Sequence, residues 1–199
     1  MPGSFPRPPA SSPSVCIPEI HDLTTQIQAI DWFQFEKIVA AAYKKQGYSV
    51  TRRGGANPDG GIDLILEKAG EQTGVQCKQW KSWQVGVRNI REFFGALCHA
   101  GLKSGIFITV RGYTMEARKL AQEDGIQILD GAALTAMLER ADAQFDPEII
   151  ALFEDKRKFC PKCESEMVLR RARKGAFTGQ DFWSCSSFPR CRYKMNTID

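Results

Sequence analysis

The 199-residue sequence has no apolar run near the ~18 residues that a membrane-spanning helix needs, so no membrane partner is expected. Residues 1–18 hold no hydrophobic signal core. They are rich in Pro and Ser and read as a disordered tail, or a linker from something upstream. Histidine is scarce: His21 and His99 stand apart from any cluster and read as ordinary surface or core residues rather than ligands. No internal repeat is present. A disulfide framework is also excluded. The seven cysteines (16, 77, 98, 160, 163, 185 and 191) are odd in number, lack a secretory signal and include a tight Cys-x-x-Cys. They suit a reducing, cytoplasmic compartment.

Apolar residues make up 43% and charged residues 25%, so an ordinary core can form without staples. The net charge of +4 is unevenly spread. Residues 156–199 carry eleven Lys and Arg against four Asp and Glu; residues 1–155 carry sixteen against nineteen. A basic appendage suits a polyanion, although charge alone equally describes a solvated lysine-rich tail.

Periodicity predicts a helix over about 31–46, capped by Asp31, with Trp32, Phe35, Val39 and Ala42 at helical spacing and Gly47 as its stop. Strands follow at 48–53, 62–67 and 74–80. Residues 54–61 (Gly54-Gly55-Ala56-Asn57-Pro58-Asp59-Gly60-Gly61) form a loop between the first two. Lys68-Ala69-Gly70-Glu71 closes a hairpin. Then come a helix at 85–102, a buried strand at 105–110, a helix capped by Thr114, a strand at 126–129 and a helix at 131–140. The fold class is mixed-sheet α/β with flanking helices. Asp146-Pro147-Glu148 opens a linker helix. The expected domains are a tail at 1–28, the main α/β domain at 29–141, a linker helix at 142–157 and a small cysteine-rich module at 158–197.

A two-residue hairpin at Ala69-Gly70 sets Asp63 opposite Gln76. Strand alternation puts Gln76 and Lys78 on one face and Cys77 on the other, toward the core. An acid, an amide and an ammonium group then converge, which suits phosphodiester hydrolysis with a divalent cation. Mg²⁺ prefers oxygen: Asp63, the Gln76 amide and the Cys77 main-chain carbonyl supply it, and Glu36 reaches in from the first helix. Lys78 orients water or stabilises charge on the phosphate. The same three residues also describe an ordinary polar ladder on two strands, and spacing alone leaves both readings open.

Cys160-Pro161-Lys162-Cys163, with Cys185 and Cys191, supplies four thiolates for a closed tetrahedral Zn²⁺ site. The segment is too short to bury a core without the metal. Arg170, Arg171, Arg173, Lys174, Phe177, Arg190, Arg192 and Tyr193 around it are expected to bind DNA, the cations on phosphates and the aromatics on bases.

Gly60-Gly61-Ile62-Asp63 followed by Val75-Gln76-Cys77-Lys78, with Phe35-Glu36 before them, resembles the Mrr-type restriction endonucleases of the PD-(D/E)xK superfamily. The likeness runs roughly from residue 31 to residue 139. It implies a restriction-endonuclease-like fold, Mg-dependent type IV-like DNA cleavage and catalytic roles for Asp63, Gln76, Lys78 and Glu36. In that family Gln often replaces the signature Glu. Asp59 competes for the signature aspartate; Asp63 is preferred because it sits beside the hairpin partner. Cys-Pro-x-Cys … Gly-x-Phe … Cys-x-x-x-Pro-x-Cys over residues 159–195 resembles the C-terminal zinc finger of type IA topoisomerases and implies DNA binding, often single-stranded. The expected function is a metal-dependent endonuclease restricting foreign or modified DNA, with a homodimer as the route to double-strand cleavage. The rivals are a non-cleaving DNA-binding recruiter and a repair nuclease for single-stranded or branched DNA.

Overall fold

The computed structural model describes residues 23–53, 61–80 and 83–197. The order of elements is α1 (Leu23–Ala29), α2 (Trp32–Lys45), β1 (Ser49–Arg52), β2 (Leu64–Lys68), β3 (Glu71–Lys78), α3 (Val87–His99), β4 (Ser104–Thr109), α4 (Met115–Glu123), β5 (Ile126–Leu129), α5 (Gly131–Arg140), α6 (Pro147–Glu154), β6 (Met167–Arg171), β7 (Asp181–Cys185) and β8 (Lys194–Asn196).

The first five strands form one sheet in sequence order, β1-β2-β3-β4-β5. β1, β2 and β3 pair antiparallel; β3, β4 and β5 pair parallel. The two parallel pairs need crossovers, which α3 and α4 supply on one face. Ile90, Phe93, Leu97 and Ala117 pack there against Phe107 and Ile126. The opposite face is covered by α2, α5 and α6, where Phe35, Ile38, Leu134, Leu138 and Ile149 meet Leu64, Val75 and Ile108. β4 is apolar on both sides because both faces are covered.

The hairpin register follows the turn. Ala69 and Gly70 both take positive φ, 54° and 81°, the pattern of a type I′ turn whose twist matches the strands. Lys68 therefore pairs with Glu71 and Leu64 with Val75. α2 is capped by the Asp31 side chain, which accepts from the Phe33 N–H, and α4 by Thr114, which accepts from the Ala117 N–H.

Two expectations are corrected. The N-terminal tail does not extend to residue 28: residues 23–29 form α1, whose Leu23 and Ile27 are buried in the core. The short amphipathic Leu-x-x-x-Ile spacing carries that helix, and the Pro/Ser-rich composition stops before it. Residues 1–22 lie outside the described residues. The helix expected to be a linker is instead a core element. Ile149 and Phe153 of α6 are buried in the main cluster, and Lys45 of α2 pairs with Asp146 at its N-terminus (2.6 Å).

Candidate nuclease site and zinc ribbon

The last β2 pair is Leu64 with Val75, so β3 residues 76–78 extend past the β2 ladder. The chain entering β2 bends there. The Asp63 N–H donates to Val75 O (2.8 Å) and its carbonyl accepts from the Arg53 N–H (2.8 Å). Its carboxylate then takes the place of the missing strand, accepting the Cys77 N–H at 2.7 Å on Oδ2. The Asp63 acid is thus held against the backbone between Gln76 and Lys78. In a strand, the N–H and C=O of one residue point to the same side. The Cys77 carbonyl therefore faces the same notch, while its thiol is buried in the core. Lys78 O faces β4 and accepts from Thr109 Oγ1 (3.0 Å).

Gln76 is only 5% exposed and lies against Gly61. A Cβ at position 61 would come within 2.9 Å of Gln76 Oε1, and Gly61 has φ +92°. Glycine suits this position for its backbone angle, and any larger residue would also push the Gln76 amide aside. The rest of the Gly-rich loop, Asp59 included, lies outside the described residues, as does Lys81.

Glu36 is buried on α2 and is pushed up to about 7, first by burial and then by the nearby Asp63 carboxylate; Arg52 opposes the shift with a 2.9 Å hydrogen bond. Two acids crowded in a half-dry site are poorly stabilised by one guanidinium alone. Carboxylate oxygens, an amide oxygen and a main-chain carbonyl are the donors a hard divalent cation prefers, so these residues fit such an ion. Lys78 is half-buried at the end of β3. Trp80 packs on the α3–α4 side, whereas Trp83 is exposed.

The C-terminal segment folds as a three-stranded antiparallel sheet, β6-β7-β8. The sulfurs of Cys160, Cys163, Cys185 and Cys191 lie within 4.8 Å of one another. Two of the separations are 3.6 Å (Cys160 to Cys191) and 3.3 Å (Cys163 to Cys185). Tetrahedral ligands about 2.3 Å from a zinc ion lie at nearly such separations, so the cluster fits structural Zn²⁺.

On the ribbon, Arg170, Arg171, Arg173, Lys174, Phe177 and Tyr193 line one open groove, joined by Phe182 and Lys194. Phe177 is 68% exposed. Arg171 is paired with Asp181 across the β6–β7 ladder at 2.9 Å. Arg190 and Arg192 are exposed but lie outside the groove lining.

The docking of the ribbon on the catalytic domain was not legible in the sequence. Phe159 stacks on Phe33 (4.3 Å between centroids), its carbonyl accepts from Trp32 Nε1 (3.0 Å), and the Arg157 carbonyl accepts from Gln34 Nε2 (3.0 Å). Arg52 also escaped sequence reasoning. Its only signal was a cation on a strand two positions before a glycine-rich loop.

These features have counterparts in known proteins. The Mrr catalytic restriction endonuclease family model matches residues 27–138, and a topoisomerase DNA-binding C4 zinc finger model matches residues 157–198. A type IV methyl-directed restriction enzyme, EcoKMrr of Escherichia coli K12, is 38% identical over 113 residues. That match covers 53% of this chain and 37% of the relative, so the chain spans little more than a third of that protein's length. The DNA modification-dependent restriction endonuclease AspBHI shares the fold, with a TM-score of 0.51 at 17% identity over 77% of this chain and 43% of that one. With more than half of its residues matched by the family model, the chain belongs to the Mrr-type restriction endonuclease family and carries a topoisomerase-type C4 zinc ribbon behind the catalytic domain.

Proposed function

We propose that this protein is a Mg²⁺-dependent DNA endonuclease, acting on foreign or modified DNA, whose zinc ribbon grips the substrate. The observation that carries this reading is the Asp63 carboxylate docked on the Cys77 N–H, flanked by Gln76 and Lys78 and faced by Glu36. A divalent cation held by Asp63, Glu36, Gln76 Oε1 and the Cys77 carbonyl would supply Lewis-acid chemistry at the scissile phosphate. The protein's own groups do the rest. Asp63 is oriented by the β3 backbone and Gln76 is buried against Gly61, so the donors need little reorganisation. The Lys78 ammonium stands ready to stabilise negative charge that grows on the phosphate oxygens. The ribbon raises the local concentration of DNA beside the site. Cytoplasmic residence and transient pairing of two copies for double-strand cleavage belong to this proposal.

A supercoiled-plasmid assay tests it. With Mg²⁺, the wild type nicks or linearises DNA. Asp63→Ala and Lys78→Ala each lose activity by at least about 100-fold, the scale of one transition-state charge contact, while still binding DNA in a gel shift. Wild-type protein that binds DNA yet leaves methylated and unmethylated plasmid intact across divalent metals points instead to a recruiter. Faster cutting of single-stranded or branched DNA than duplex points to a processing role.

A further inference from the structure

Glu164 directly follows the zinc-site residue Cys163, with φ 56° and its N–H donating to Cys160 O at 2.8 Å. Its carboxylate leaves the ribbon and accepts from Arg52 on β1, at 3.1 Å from Nη2 and 3.5 Å from Nη1. The same Nη2 donates to Glu36 at 2.9 Å. The guanidinium also lies over the Phe33 ring (4.7 Å), which itself stacks on Phe159 at the entrance to the zinc loop. One guanidinium is therefore shared between a buried acid of the nuclease site and an acid of the ribbon. Arg52 Nε is buried without a hydrogen-bond partner, so the group has been positioned for its two terminal nitrogens.

We infer that Glu164 is a positioning residue of the nuclease site: from the zinc loop it anchors Arg52, and so leaves the Glu36 carboxylate able to engage a divalent cation. This rests on the nuclease reading above. A cation arriving beside Asp63 and Glu36 repels the guanidinium, and a half-buried guanidinium left without an anion is costly. Glu164 keeps Arg52 paired at that moment. Without Glu164, Arg52 turns wholly to Glu36 and competes with the cation for it. The ribbon is then part of the cleavage centre as well as a grip on DNA.

The test is Mn²⁺ binding to the zinc-loaded 199-residue protein by titration calorimetry. Glu164→Gln weakens Mn²⁺ binding about tenfold, the effect of one partly buried charge partner. Zinc content, melting temperature and metal-free DNA affinity stay near wild type, which an undocked or misfolded ribbon would not allow. In an Arg52→Gln background, adding Glu164→Gln changes Mn²⁺ affinity no further, because the effect passes through Arg52. Should Arg52→Gln not fold, Arg52→Lys, which keeps the charge without the two-nitrogen fork, replaces it and shrinks the Glu164 effect. Wild-type Mn²⁺ affinity in Glu164→Gln overturns the inference alone, as does an undiminished tenfold effect in the Arg52 variant. Wild-type protein that neither binds Mn²⁺ nor cuts DNA overturns the nuclease reading and this inference together.

Discussion

Glu36 is the residue whose environment most opposes its charge. Burial and the Asp63 carboxylate outweigh the Arg52 hydrogen bond and push its carboxyl up to about 7 in the metal-free protein. An ordinary glutamate titrates near 4.3, so between roughly pH 4.5 and 7 the folded state binds the extra proton. Stability must then fall as pH rises through that window and level off above it. For a shift of this size the loss is roughly 3–4 kcal/mol. Glu36→Gln removes the titration, so urea denaturation without added divalent metal gives a flatter stability curve from pH 5 to 8. Parallel curves for wild type and variant would show that Glu36 ionises normally. On the proposed nuclease reading, this cost has a use, since a pair of crowded acids favours a bound cation.

At the scale of elements, the fold was legible wherever one local rule dominated. Asp31 and Thr114 were readable caps, and the helix at 131–140 and the strand at 126–129 lie where periodicity places them. The register of the hairpin followed from the two-residue turn at Ala69-Gly70, even though alanine is an unusual choice at positive φ. α1 was missed because seven residues with two buried positions make too short a period to stand out. The packing of α6 was missed for a different reason. Ile149 and Phe153 announce a buried stripe, but nothing local names α2 and the core as its partner. Glu36 and Asp63 were readable as candidates, whereas Arg52 was not, because its two partners lie 16 and 112 residues away.

The zinc loop shows how an element can depend on an ion. Its buried cluster consists of Cys160, Met167 and Cys185, with only a few half-buried neighbours such as Trp183 and Tyr193. That is too little apolar burial to order about forty residues, so the metal must provide most of the folding energy, on the order of 10 kcal/mol. Cys160→Ser should therefore drop zinc content well below one per chain and abolish the protease resistance of residues past 157. The catalytic domain, with its own core and α6, stays folded with a cooperative transition. Full zinc in that variant would mean the four sulfurs are not the ligand set.

For the whole molecule, the two units divide the electrostatic labour. The charge excess lies in residues 156–199, while the catalytic part is slightly acidic. With little net positive charge on the catalytic part, the proposed DNA grip falls to the basic groove lined by Arg170, Arg173 and Lys174, with Phe177 beside them. These three cations have no acidic partner among the described ion pairs, unlike Arg171 with Asp181. Neutralised phosphates release counterions, and each contact contributes about −0.9 to the slope of log affinity against log salt on duplex DNA. Replacing Arg170, Arg173 and Lys174 with alanine should thus make that slope shallower by roughly two to three, and weaken binding similarly across unrelated sequences. Phe177→Ala adds no salt term, since stacking carries no charge, and it weakens single-stranded more than duplex binding. Cleavage by the triple variant recovers at low salt, because the Asp63 and Lys78 site is intact and only the encounter is impaired. An unchanged salt slope in the triple variant would move the DNA grip off the ribbon groove and onto the catalytic domain.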